Sequence, residues 1–175
     1  MRLEKITSKD KIRPTLNHIY LHKDRAVATD GHKLGVVLIK NIFQDCEEFL
    51  NSIPNEGVFI HPEDWKKIKD VNTIEPIKNG VIKIIPNKGR AVLIEAINAS
   101  EIGKFPVYDN IIPSGTLEAT TNICFNYKYL YDLCEAIGIN TINNKTRLQF
   151  FGEMKAIRVD HENGNYGVIM PIRDV

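Results

Sequence analysis

The sequence predicts an α+β protein on three observations. Short runs of β-branched and apolar residues recur along the chain, punctuated by Gly, Pro, Asn and Asp. Two stretches, 61–70 and 126–137, carry helix signals instead. The order strand, helix, antiparallel strands occurs twice.

Each element has its own reason. Ile19-Tyr20-Leu21-His22 and Arg25-Ala26-Val27-Ala28-Thr29 read as strands around a Lys23-Asp24 turn. Asp30-Gly31 is a strong turn signal, since Gly accepts positive φ without penalty. Leu34-Gly35-Val36-Val37-Leu38-Ile39 reads as a buried strand. Residues 41–56 read as a connector, broken by Asn51, Ser52, Pro54 and Asn55. Val58-Phe59-Ile60 is a short strand. His61-Pro62-Glu63-Asp64 then opens a helix expected to run to about Asp70, with Pro and acids in its first turn. Val81 to Ile85 and Arg90 to Ala99 are strands around the turn Pro86-Asn87-Lys88-Gly89. Phe105 to Tyr108 is irregular and leads to Ile111-Ile112-Pro113.

Ile123-Cys124-Phe125 reads as a strand, and Asn126 as the N-cap of a helix with Leu130, Leu133, Cys134 and Ile137 on one face. Gly138 closes that helix. Leu148 to Phe151, Lys155 to Val159 and Val168 to Met170 are strands, the last two joined by a hairpin over 162–165. Residues 57–115 and 116–175 thus look like two copies of one unit. Residues 1–56 look like the strands of a third copy, without its helix, plus the connector. The three are expected to pack as one compact domain. Edge strands left unpaired at 11–40 would favour contacts between subunits.

Composition bounds the function. The 175 residues are 43% hydrophobic and 26% charged, as in a folded core. No apolar run approaches the roughly 20 residues of a membrane span, and Met1-Arg2-Leu3-Glu4-Lys5 is not a secretory signal. Cys46, Cys124 and Cys134 make an odd count without CxxC spacing, which reads as reduced core thiols. A cytoplasmic location is expected. The net charge of +1 neither demands nor forbids nucleic acid, because phosphate binding depends on local charge.

Catalytic patterns are missing. The five histidines are scattered, with no HExxH and no metal spacing, and there is no GxSxG, Walker loop or GxGxxG. No catalytic residue, metal or cofactor is expected, and the chain reads as a non-enzyme.

Two signatures remain: Ala28-Thr29-Asp30-Gly31-His32-Lys33-Leu34, and Val168-Ile169-Met170-Pro171-Ile172-Arg173. Alone, the first is a hairpin turn and the second a strand end with a proline stop. Together they resemble the two signatures that frame the partner-binding groove of the bacterial sliding clamp, the beta subunit of DNA polymerase III. Ile12 to Asn17 with Ala28 to Leu34 is similar to the first half of that family's middle domain. Residues 57–113, ending Lys104-Phe105-Pro106-Val107-Tyr108 and Ile111-Ile112-Pro113, resemble its second half. Phe125-Asn126 to Ile137 and the terminal Met-Pro-Ile-Arg resemble the second half of its last domain. The family's first domain and the first half of its last domain have no counterpart here.

The resemblance implies a DNA clamp fold of repeated βαβββ half-units with two main helices. It also implies a groove for a short peptide motif of a DNA polymerase or other replication protein. Leu16, Leu34, Pro113, Val168, Met170 and Ile172 would be its apolar walls. Thr29, Gly31, His32, Lys33 and Arg173 would be its polar rim, and Pro171 would leave the terminus unpaired. The helices would face duplex DNA and contact phosphate without sequence preference through Lys66, Lys67, Lys69 and Lys128. Glu63, Asp64, Asp70, Asp132 and Glu135 lie among these lysines, as on an ordinary solvated face. The function implied is that of a sliding clamp-like processivity factor, a homo-oligomer. The alternative is a clamp-fold interaction module that forms no ring and regulates replication proteins.

Overall fold

A computed structural model describes residues 1–68, 71–119, 122–139 and 145–173. Its centre is an antiparallel meander: β1 (Ile19–His22), β2 (Arg25–Thr29) and β3 (Lys33–Leu38). Lys23 takes the positive φ that the β1–β2 turn requires. On one side β1 pairs with β4 (Val58–Ile60), which pairs with β8 (Ile97–Asn98). On the other, β3 pairs with β11 (Tyr166–Ile169), followed by β10 (Ile157–His161) and β9 (Thr146–Gln149). The eight strands form one sheet, antiparallel throughout. A second sheet holds β5 (Val71–Ile74), β6 (Val81–Pro86) and β7 (Val92–Glu95).

The α+β class and the clamp-type mixture of antiparallel sheets with few helices are therefore present. The expectation that strands within 11–40 are unpaired edges is corrected. β1, β2 and β3 are interior strands, because β4 covers one flank and β11 the other, and the sheet's edges are β8 and β9.

Strand periodicity sorts the side chains to two faces. Ala26, Ala28, Val37 and Ile169 enter a core with Leu133, Ala136 and Ile137 of the main helix, α4 (Tyr127–Ile137, numbered after the shorter helices below). Val27, Leu34, Val36 and Val168 enter a second core with Tyr20, Phe59, Phe105 and Tyr108. The main helix thus covers one face, and the segment 99–113, which opens with a short helix, covers the other.

Gly35 and Gly167 stand opposite each other in the β3–β11 register. A Cβ at Gly167 would lie 2.5 Å from the Leu34 carbonyl oxygen and 2.5 Å from Leu133 Cδ1. This bare patch is where α4 seats itself. The helix starts at Asn126, whose side chain accepts from the Lys128 amide, and ends at Gly138, left-handed at φ 98°.

Other elements differ from expectation. The connector holds α1 (Glu47–Ser52), which the breakers end but do not prevent. The helix after β4 is a single turn, α2 (Pro62–Trp65), with the His61 ring accepting from the Glu63 amide. Asp70 and Lys69 lie outside the described residues. The strand expected over 90–99 divides at Ala96: its amide donates to the Gly80 carbonyl at 2.7 Å, one position past the Val81–Glu95 pair of β6 and β7, and Ile97 then pairs with Phe59 of β4. Beyond it, β8 joins the large sheet and α3 (Ala99–Ile102) follows, opened by an Asn98–Glu101 capping box. Residues 123–125 keep only a bridge from Cys124 to Ile172. Cys124 is exposed and free, so it is not a core thiol; Cys46 is buried. Among the described residues, no helix is long and apolar enough to cross a membrane.

Candidate functional site

The Thr29–Leu34 turn is built by its own side chains. Thr29 Oγ1 donates to the Lys33 carbonyl at 2.8 Å and accepts from the Gly31 amide at 3.1 Å. Asp30 Oδ1 accepts from the His32 and Lys33 amides. Gly31 sits at φ 92°, where a side chain would be strained. These bonds explain a Thr, an Asp and a Gly in succession.

β3–β11 pairing then brings the turn to the chain's last strand. Lys33 stands opposite Ile169 and Leu34 opposite Val168. Past the last pair, the Met170 amide donates to the His32 carbonyl at 2.9 Å. The Ile172 amide donates to the Cys124 carbonyl at 2.7 Å, which holds Ile172 against the segment before α4. Two distant signatures are therefore one local structure.

The named residues divide by role. Leu16, Leu34 and Val168 are buried together, a floor beneath the surface and not its walls. Met170 and Ile172 are 42% and 49% exposed above it. Pro113 and Pro171 are half-buried, and Ile112 packs on the same core. His32 and Arg173 are exposed. Thr29 and Lys33 are buried and do not form a rim. Lys33 points to the helix face, as strand alternation requires of the neighbour of Leu34. Its ammonium pairs with Asp30 and lies 4.6 Å from the Tyr129 ring centre. His32 stacks on that ring at 5.4 Å. Beside this turn lies Arg13, which was not among the expected groove residues; its guanidinium would lie 3.8 Å from a Cβ at Gly31. Its only signal was its place beside Pro14 and Leu16.

The opposite face carries a cleft of about 1180 Å³ between residues 1–9, α2 and α4. Lys66 and Lys128 line it. Lys67 does not, and pairs with Asp64. Lys69 lies outside the described residues. Arg2, Lys5 and Lys9 also line the cleft, and sequence reasoning passed over them. Their placement comes from Leu3 and Ile6, fully buried against the α4 core, with the Arg2 amide donating to the Glu135 carbonyl at 3.1 Å. An apolar pair three residues apart amid cations was the available signal.

Carboxylates temper the cleft. Lys66 pairs with Glu63 and Lys128 with Asp132, while Glu135 takes both Arg2 and Lys5. The Asp132 hydrogen bond raises the Lys128 pKa. Sharing Glu135 leaves a positive excess, to which Lys9 adds and from which Glu4, also lining the cleft, subtracts. Among the described residues, no group of three or more His, Cys, Asp or Glu could hold a metal ion.

No protein-family model matches the sequence, and no curated protein matches it. Solved structures do match, and they are bacterial DNA polymerase III beta sliding clamps. The chain is similar to the Caulobacter crescentus pol III beta at TM-score 0.67 and 18% identity, covering 99% of this chain and 63% of that one. It is similar to the DNA polymerase sliding clamp of Bacillus subtilis at TM-score 0.64 and 15% identity, covering 99% and 62%. It is also similar to the Bartonella birtlesii sliding clamp bound to griselimycin, at TM-score 0.64 and 19% identity, covering 99% and 64%. The chain has the sliding clamp fold and spans about 63% of the length of these clamps.

Proposed function

We propose that this chain is a DNA sliding clamp-like processivity factor, without enzymatic activity of its own. A short peptide of a DNA polymerase or another replication protein would seat between residues 29–34 and 168–173. Duplex DNA would be held without sequence preference by the cationic cleft.

The observation that supports this reading is the union of the two signatures by the Met170–His32 hydrogen bond, with exposed Met170 and Ile172 over a buried apolar floor. Methionine suits such a surface because its flexible thioether adapts to different partner side chains. Peptide and DNA would not compete, since the groove and the cleft lie on opposite faces of the sheet. A tethered polymerase then rebinds its template at a high effective concentration. The edge strands of the large sheet, β8 and β9, are where further copies would add to form a homo-oligomer.

Solution mass by light scattering, with nicked circular DNA and with the same DNA linearised, tests this. A discrete oligomer that stays on circles and leaves linear ends supports a sliding clamp. The second reading is a clamp-fold interaction module that keeps the groove without a ring. It predicts a monomer that binds the peptide and is indifferent to DNA topology.

A further inference from the structure

We propose, resting on the nucleic-acid reading of the cleft, that the exposed face of α4 beside it takes unpaired nucleobases, with Tyr127 and Tyr131 as stacking surfaces for single-stranded nucleic acid.

α4 buries Leu133, Ala136 and Ile137. Its opposite face carries Tyr127, Lys128, Tyr131, Asp132 and Glu135. Tyr127 is 80% exposed and Tyr131 is 57% exposed. A solvated helix face needs no large rings, and these two contribute nothing to the core. They are four residues apart, so they lie on one side of the helix about 6 Å from each other along its axis. Tyr129, by contrast, is already used, because His32 stacks on it.

The cations are placed among the rings. The ammonium groups of Lys5 and Lys128 each lie 5.8 Å from the Tyr131 ring centre. Both lysines line the cleft, together with Arg2, Lys9 and Lys66. Exposed aromatics interleaved with cations are the pattern of single-strand binding: the cations follow the phosphates and the rings take bases. A duplex keeps its bases stacked inside and offers the cleft phosphate and sugar, so it accounts for the cations alone.

The test is fluorescence anisotropy with the full chain at low salt. Three probes of about 20 nucleotides are compared: an oligothymidylate, an abasic strand with the same phosphates, and a duplex. Oligothymidylate is expected to bind at least about tenfold more tightly than the abasic strand. Tyr127→Ala combined with Tyr131→Ala should abolish that preference and leave duplex affinity unchanged. Tyr127→Phe with Tyr131→Phe should retain it. Equal binding of oligothymidylate and abasic strand overturns the proposal, as does a preference that survives the double alanine variant. Duplex binding without base preference overturns it while leaving the clamp reading intact; binding of none of the probes overturns both. Loss of oligomer mass in the double variant, with base preference unchanged, assigns the tyrosines to contacts between copies and overturns the nucleobase role.

Discussion

The amide of Met170 donates to the carbonyl of His32 at 2.9 Å, one residue beyond the last paired position of β3 and β11. That bond sets the exposed Met170 side chain beside the Asp30–Gly31 turn. The candidate groove depends on this closure, because neither signature offers a binding surface alone.

Met170→Asp should weaken binding of a clamp-motif peptide by about 2 kcal/mol or more, roughly thirtyfold. The side chain is 42% exposed, so the folded chain should tolerate the change. Titration calorimetry with the synthetic peptide measures it. An unchanged affinity removes Met170 from the site.

Lys9→Gln and Lys128→Gln should each lower duplex affinity to a similar degree on any sequence. In a log–log plot of affinity against salt, the slope should become shallower by about 0.9 for each phosphate that is no longer neutralised. Duplex binding with an unaltered slope would mean that other cations hold the phosphates.

Gly167→Ala should destabilise the chain by about 1–3 kcal/mol or more, an overpacking effect. The added Cβ would meet the Leu34 carbonyl oxygen at 2.5 Å, and backbone cannot yield as a side chain does. Urea unfolding followed by circular dichroism gives the difference. Wild-type stability in this variant would contradict the seating of α4 on the Gly35–Gly167 pair.

Asn165→Ala should cost roughly 3 kcal/mol, since several buried groups lose their partners together. The Asn165 side chain accepts from the Leu38 amide at 3.0 Å and from Asn41 Nδ2 at 2.7 Å, and it donates to the Ile137 carbonyl at 2.8 Å. It therefore ties β3, the C-terminal end of α4 and the β10–β11 hairpin. A loss under about 0.5 kcal/mol would mean that water replaces these bonds.

Stability should fall at alkaline pH. Burial raises the phenol pKa values of Tyr20, Tyr108 and Tyr166, and for Tyr108 this outweighs the opposing hydrogen bond and charge of Arg25. The folded chain then holds protons that the unfolded chain releases near pH 10. Their contribution is complete below that range and is lost as pH rises through the folded values. Urea midpoints from about pH 8 to about pH 11 should drop at the upper end, and Tyr108→Phe should flatten the drop. A variant with the same alkaline slope as wild type would clear Tyr108 of the effect.

Much was legible locally. β1, β2 and β4 begin and end where β-branched runs and turn residues say, and α4 runs from its Asn126 cap to Gly138. The division at Ala96 was not legible, because it depends on Ile97 pairing with Phe59 in the other sheet. The groove residues divided for a similar reason. Leu34 and Lys33 are neighbours in sequence, yet strand alternation sends one into the core beneath the groove and the other under α4. For the cationic wall from residues 1–9 the sequence offered only the Leu3–Ile6 spacing, and its place was decided by those two residues docking on α4.

The sequence by itself determined the α+β class, most strands, the main helix and the two signatures, since turns, caps and periodicity act over a few residues. Tertiary structure alone decided that β3 and β11 pair, that the strands of residues 19–38 are interior, and that the N-terminal cations share a cleft with α4. Those outcomes depend on which apolar faces and strand edges cover one another, and that complementarity is a property of the folded chain.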